Sequence, residues 1–117
     1  MATVIVPLRD GLMVGKELHH EAELREATAG DVFDASAASE RLVQAPDNTW
    51  HLVSSPGAVA VEILRRRLVR IGSFQGPFTI TLLARLSTYD LGALQRAADT
   101  LDGASVEAAV RHAGEPG

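Results

Sequence analysis

The first quarter of the chain alternates between apolar and polar residues with the period of a β-strand. Residues Thr3–Leu8 are rich in β-branched side chains, and Pro7 favours a position at the edge of a sheet. In Glu17–Arg25 every second residue points to one side, namely Leu18, His20, Ala22 and Leu24. Asp10-Gly11 is a turn signal between the two segments, and Gly15-Lys16 is expected to close a longer loop that carries Leu12, Met13 and Val14. These patterns predict an antiparallel hairpin, which must pack on helices because an isolated hairpin is only marginally stable.

Two segments with helical periodicity follow the hairpin. Thr28 and Asp31 have the spacing of a capping box, which predicts a helix over Ala29–Ser39. The second helix is expected over Pro56–Ile71. Its apolar face consists of Ala60, Leu64, Leu68 and Ile71, flanked by Val61 and Ile63, and its opposite side consists of Glu62, Arg65, Arg66 and Arg70.

Two features in this region leave alternatives open. Arg67 falls inside the apolar arc, so it either extends to the surface or pairs with an acid, for which Asp31 and Asp90 are natural candidates. Between the helices, apolar runs flank a turn cluster that begins at Pro46. Residues Arg41–Val53 are therefore either a second hairpin or an ordered loop.

The last third is dense in helix-boundary signals. Gly76-Pro77 can open a short helix, which is favoured although Thr79–Leu82 also alternates like a strand. Ser87 fits an N-cap with Asp90 as its capping-box partner. The flanking apolar residues then follow the spacing of a hydrophobic staple and one helix face, with Gly103 as terminator: Leu86, Leu91, Leu94, Ala98 and Leu101. A weak helix over Ser105–Ala113 completes the pattern.

Taken together, these elements predict an α+β fold in which the N-terminal antiparallel hairpin packs on a small bundle of three to four helices. The length of 117 residues predicts a single domain over residues 1–113 and a frayed tail over residues 114–117. Of the chain, 46% is hydrophobic but only 4% is aromatic, and much of the apolar content is alanine. We therefore expect a core packed with small residues.

Charge and cysteine content narrow the class of protein. The chain has no cysteine and a net charge of −4, which fits a cytoplasmic protein and argues against nucleic-acid binding. No apolar run is long enough to cross a bilayer, so no membrane association is expected.

The polar residues suggest no bond chemistry. His19, Glu21 and Glu23 share a strand face and could in principle ligate a metal, but a solvated charged face explains them better, so no metal site is predicted. Arg65, Arg66 and their neighbours are better explained as a salt-bridged helix face than as a phosphate site. No nucleophile has a recognisable base, so we expect no enzyme activity and no cofactor.

Apolar surfaces are the functional candidates. Some leucines of the last third are expected to form a groove for an amphipathic helix of a partner, while others fill the core; the candidates are Leu82, Leu83, Leu86, Leu91 and Leu94. A second candidate is the apolar tip of the hairpin, consisting of Leu12, Met13 and Val14. A small DNA-binding domain built on the Ser87 corner is a weaker alternative, since Arg96 is the single basic residue of the helix that follows it.

Two motifs carry a resemblance to a known family. The stretch IGSFQGPFTITLLARLSTYDLGALQRAADTLD after a basic helix, and the corner LREATAGD at residues 24–31, resemble the tail assembly chaperones of Mu-type contractile-tailed phages and prophages. Residues 40–56 match this pattern least. The resemblance implies a non-enzymatic viral protein that binds apolar helical segments of the tape-measure protein and keeps it soluble until the tail tube polymerises.

The same resemblance leaves the partners partly open. The tape-measure protein is the implied partner, the tail tube protein is a second candidate, and homo-oligomers are compatible with it. The alternative function is a structural or adaptor protein retained in the tail or baseplate. The presence of the protein in purified tails would distinguish the two.

Overall fold

The computed structural model describes the backbone of residues 1–113 and the side chains of residues 1–104. Along the chain the elements are β1 (Thr3–Val14), β2 (Glu17–Arg25), α1 (Ala29–Ser39), β3 (Arg41–Gln44), β4 (Trp50–Val53), α2 (Pro56–Arg67), β5 (Leu68–Ile71), β6 (Phe74–Gln75), α3 (Ile80–Leu83) and α4 (Thr88–Ala113). Four strands form an antiparallel sheet in the order β1-β2-β5-β6, and β3 and β4 form a separate two-stranded sheet. The predicted α+β class and N-terminal hairpin are thereby confirmed.

The N-terminal hairpin is longer than the sequence suggested. Strand β1 continues through Asp10-Gly11 to Val14, so the turn expected at Asp10 and the loop expected over Leu12, Met13 and Val14 were wrong. The chain reverses at Gly15-Lys16, where the connection was expected to close. The register with β2 shifts between Pro7 and Leu12, and Gly11 has a φ of +80°. Glycine adopts this conformation without strain, so Asp10-Gly11 forms a bulge instead of a turn.

Helix α1 has the predicted bounds and begins with a complete capping box. The Thr28 hydroxyl accepts a hydrogen bond from the Asp31 amide at 3.2 Å, and the Asp31 carboxylate accepts one from the Thr28 amide at 2.8 Å. The helix packs against α2, and Ala35 is completely buried. A local signal of four residues therefore sets this helix start.

Helix α2 begins as predicted, with Ser55 as N-cap and Pro56 in the first turn, but it ends at Arg67. The expected continuation to Ile71 was wrong, because Leu68–Ile71 forms β5 and pairs with β2. The spacing of Leu68 and Ile71 suits a helix face, yet both are buried as strand residues. Pairing with a strand more than forty residues away outweighs the local helical pattern.

The C-terminal helices differ from the prediction at their ends. Helix α3 begins at Ile80 with Thr79 as N-cap, not at Pro77, although the preference for helix over strand in this segment is confirmed. The Ser87 hydroxyl accepts a hydrogen bond from the Asp90 amide at 3.1 Å, at the start of α4. Gly103 does not terminate α4, which runs on to Ala113 and includes the segment expected as a separate helix. The expected frayed tail, residues 114–117, lies outside the described residues.

The main core lies between one face of the four-stranded sheet and the helices. It contains Val6, Leu8, Leu12, Ala22, Leu24, Leu64, Leu68, Ile71, Phe78, Leu83, Leu94 and Ala98. Helix α4 packs along β1, so β1 is both a sheet edge and a helix contact. No described helix combines the length and the apolar composition that are needed to cross a bilayer.

The ambiguous segment between α1 and α2 is a hairpin. Strands β3 and β4 pair Arg41 with Val53 and Gln44 with Trp50, and the chain reverses at Asn48, which has a φ of +67°. All eight side chains of the two strands are exposed. We call residues 41–53 the arm.

Candidate partner-binding surfaces

Half of the leucines expected to bind a partner belong to the core. Leu12, Leu83 and Leu94 are at most 4% exposed, so they contact no partner in this conformation, which corrects their assignment. Four others are half-buried and pack against the core from its rim, namely Val14, Leu82, Leu86 and Leu91. Met13 is exposed, and it pairs across the hairpin with Leu18, which is also exposed. The hairpin tip therefore presents a small apolar pair, and no wide leucine groove is formed by this set.

Asp90 joins α4 to the bulge of β1. It is completely buried, and its carboxylate accepts backbone hydrogen bonds from Arg9 at 2.8 Å and from Asp10 and Gly11 at 3.0 Å each. The carboxylate oxygens of Asp90 therefore accept hydrogen bonds from the bulge, while its amide donates one to the Ser87 hydroxyl. The structure thus gives Asp90 a tertiary role that the capping-box prediction did not include.

A groove of about 420 Å³ runs between the edge of β1 and α4. Its apolar lining includes Ile5 and Ala93, and its polar end is Tyr89 with the guanidinium of Arg9 3.7 Å from the ring centroid. The adjacent Arg9 side chain also lowers the pKa of the Asp10 carboxyl through a hydrogen bond. Pro7 has no amide to donate, and Asp90 accepts hydrogen bonds from the amides of Arg9, Asp10 and Gly11, so this part of the edge is closed to an added strand.

A second groove, of about 380 Å³, lies between α2 and α4. Ala60, Ile63 and Ala98 are part of its lining, and the Arg67–Asp102 ion pair is at its side. Arg67 is 3% exposed and donates two hydrogen bonds to Asp102, at 2.7 and 3.0 Å, and one to the carbonyl of Arg25. Pairing with an acid is therefore confirmed for Arg67. Neither expected acid is its partner.

The strand face that could have held a metal is occupied by protein contacts. Arg70 donates hydrogen bonds to Glu23 at 2.9 Å and to Glu21 at 3.3 Å. The His19 ring lies edge-on to Phe74, with centroids 5.3 Å apart. Within the described residues, no group of three acidic or histidine side chains is arranged to hold a metal ion.

The largest concentration of exposed apolar side chains lies on α1 and the arm. Phe33 is 72% exposed, Trp50 59% and Leu52 68%. The full set on α1 and the arm is Val32, Phe33, Leu42, Val43, Trp50, Leu52 and Val53. A concentration of exposed apolar side chains is typical of interaction sites, so the arm is the main candidate for partner binding.

The arm has two different faces. Residues that pair directly across two strands share a face, so Leu42, Leu52, Gln44 and Trp50 lie on one side, which we call the Trp50 face. Arg41, Val43, His51 and Val53 lie on the other side, which we call the Val43 face. The Trp50 face is more apolar and more exposed, since Leu42 and Leu52 are each over 60% exposed and Val43 and Val53 each under 50%.

Sequence reasoning found the arm as a possible hairpin but missed it as a surface. The available signal was a tryptophan and two leucines in a segment bounded by a turn, and these residues are equally typical of a core strand. Only the tertiary structure reveals that no other element among the described residues covers them.

Comparison with known proteins places the chain among phage tail proteins. The family model described as "Tail assembly protein gp41" matches residues 8–115. The chain is 38% identical over 103 residues to the "Mu-like prophage FluMu protein gp41" of Haemophilus influenzae, covering 88% of this chain and 81% of that protein. It is also 38% identical over 102 residues to the "Probable tail assembly protein gp41" of Escherichia phage Mu, covering 84% of this chain and 70% of that protein.

A longer relative shares the same region. The "Probable tail assembly protein FS-gp41" of Escherichia phage Mu is 38% identical over 102 residues, and the alignment covers 54% of its length. No solved structure is significantly similar to the chain.

Proposed function

Because this chain belongs to the tail assembly protein gp41 family, we propose that it is a tail assembly chaperone acting in the host cytoplasm. In this role it binds apolar helical segments of the tape-measure protein and keeps that protein soluble until the tail tube polymerises. Reversible contacts are sufficient for this task, and no bond chemistry is required.

The observation that carries the proposal is the exposed apolar surface of α1 and the arm. A side chain such as Phe33 or Trp50 gains free energy when a partner removes it from water, about 1.5–3 kcal/mol for complete burial. A protein that is free for part of its life and bound for the rest can keep such residues exposed. The net charge of −4 keeps the free form soluble despite this surface.

The residues expected from the sequence contribute only in part to this proposal. Met13 and the partly exposed Val14, Leu82, Leu86 and Leu91 remain reachable at the rim of the core and are proposed as secondary contacts. The grooves beside α4 offer further apolar lining with small residues such as Ala93 and Ala98. Small residues let the backbone of a partner helix approach closely.

The direct test is co-expression with the tape-measure protein of the same phage or prophage. The proposal predicts that the tape measure is soluble and co-elutes with this chain in size-exclusion chromatography, and that it is insoluble when expressed alone. The control is an unrelated acidic protein of similar size. Failure of the tape measure to dissolve or to co-elute would contradict the proposal.

Purified tails separate this function from the alternative. A chaperone is displaced by tube subunits and is absent from finished tails, whereas a structural or adaptor protein is retained. Quantitative mass spectrometry of purified particles therefore decides between them. A fixed ratio of this chain to the tube protein would establish the adaptor.

A further inference from the structure

The Trp50 face of the arm is not covered by any other element of the described chain. Strands β3 and β4 pair only with each other, and Leu42, Trp50 and Leu52 are each more than half exposed. Two-stranded hairpins with short strands are marginally stable in water. The arm therefore gains stability when a partner covers this face.

The dimensions of the face restrict what can cover it. Four residues per strand extend about 13 Å, close to the 10–12 Å diameter of one α-helix. A stable dimer interface requires about 800 Å² per partner, several times the area that two such strands offer on one face. The arm is therefore suited to one crossing helix and too small to hold a second copy by itself.

The charges around the face select the helix. The backbone of Glu40 is extended, so its side chain continues the alternation of Leu42 and lies on the Trp50 face at the base of the arm. Asp47 stands at the tip, where hydrogen bonds from the Thr49 side chain and amide hold its carboxylate and lower its pKa. The Thr49 hydroxyl also lies 2.7 Å from His51, so this acid belongs with the Val43 face. Arg41, the one cationic side chain of the arm, belongs to the Val43 face.

From this arrangement we infer that the Trp50 face is the docking site for an amphipathic helix whose apolar side is flanked by lysine or arginine. The apolar side packs on Leu42, Trp50 and Leu52, and the cations reach Glu40 at the base of the arm. The inference rests on the proposed function in one respect only, namely that this helix belongs to the tape-measure protein.

Trp50 makes the inference directly measurable, because it is the single tryptophan of the chain. Two synthetic amphipathic helices of about 20 residues, long enough to form several turns, carry the same leucine and alanine side. One has lysine and the other glutamate on its polar side, and neither contains tryptophan. Titrated into the full chain, the lysine peptide should shift the Trp50 emission to shorter wavelength and bind at least about tenfold more tightly than the glutamate peptide.

Matched variants test the face assignment. Leu42→Ser with Leu52→Ser removes the apolar pair of the Trp50 face and keeps the fluorophore, while Val43→Ser with Val53→Ser makes equivalent changes on the opposite face. The first variant should lose binding of the lysine peptide by at least about tenfold, and the second should retain it. Equal loss in both variants would overturn the face assignment, because it would mean that only the integrity of the hairpin matters.

The remaining outcomes separate this inference from the proposed function. An emission shift that depends on protein concentration without any peptide would overturn the inference in favour of a second copy. Soluble co-elution of the tape measure with unchanged Trp50 emission would overturn it while leaving the chaperone function intact. A shift with the lysine peptide, together with an insoluble tape measure, would support the docking site and contradict the proposed client.

Discussion

The most informative single substitution is Asp90→Ala, because one carboxylate connects two elements that are eighty residues apart in sequence. Asp90 is fully buried and accepts three backbone hydrogen bonds, at 2.8, 3.0 and 3.0 Å, from the bulge of β1. Hydrogen bonds to a charged group contribute about 1.5–3 kcal/mol each, and removing the acceptor leaves donors without a partner. Because Arg9 and Asp10 are exposed residues, water can replace part of the loss.

We therefore expect Asp90→Ala to lower the free energy of unfolding by about 3–5 kcal/mol. A domain of this size has roughly 5–15 kcal/mol in total, so the variant should still fold but melt roughly 15 °C lower. Asp90→Asn keeps one acceptor oxygen and turns a donor towards the amides. Its free energy of unfolding should therefore lie between that of Asp90→Ala and that of the natural protein.

The assay is urea unfolding followed by circular dichroism, with Asp99→Ala as the control. Asp99 is exposed on the same helix, so its substitution should change stability by no more than about 0.5 kcal/mol. A loss below about 1 kcal/mol for Asp90→Ala would refute the reasoning, since it would mean that the three amides are satisfied equally well by water.

Three further predictions concern the ion pairs and the turns. Asp102→Ala should destabilise the fold by about 2 kcal/mol and more than Arg67→Met, since it strands a buried guanidinium while the methionine fills the same space; thermal unfolding of both variants measures the order. The hydrogen bond from Arg25 holds the pKa of Asp31 far below its ordinary value. The contribution of Asp31 to stability is therefore complete above the unfolded pKa of about 4 and is lost as the pH falls below it. Asp31→Asn should flatten the pH dependence of the urea midpoint between about pH 5 and pH 2. Gly72→Ala should lower the melting temperature more than Gly15→Ala, although both glycines have a positive φ, because only at position 72 would the added Cβ lie 2.0 Å from the His19 imidazole nitrogen. Equal melting temperatures would contradict this.

Local signals account for the parts of the fold that were predicted correctly. The capping box of Thr28 and Asp31 needs only four residues, and the alternation of Glu17–Arg25 needs only one strand. The same holds for the start of α2 at Pro56. These features depend on interactions within one turn or one hairpin, which a sequence contains in full.

The predictions were wrong where the structure of a segment depends on a partner that is distant in sequence. Residues Leu68–Ile71 have helical spacing but form a strand, because β2 offers backbone hydrogen bonds and Arg70 reaches the carboxylates of β2. The partner of Arg67 is 35 residues away on α4, and several acids were chemically equivalent as candidates. Periodicity describes which side of an element is apolar, but it does not say which element will cover that side.

For the candidate site too, periodicity did not show which side chains would stay uncovered, and the arm was missed as a surface for this reason. The exposed area of the arm also limits how tightly it can hold a partner helix. Burial of an exposed apolar side chain of the Trp50 face would contribute about 1–2 kcal/mol to the binding free energy. The sum for Leu42, Trp50 and Leu52 is about 4 kcal/mol. A binding free energy of that size corresponds to a dissociation constant of about 1 mM, before any cost of ordering the partner. One arm alone therefore holds a helix only briefly. In the proposed chaperone role, stable retention of a long client would require several copies of the chain bound along it, or additional contacts at the core rim, and each copy would be easy for tube subunits to displace.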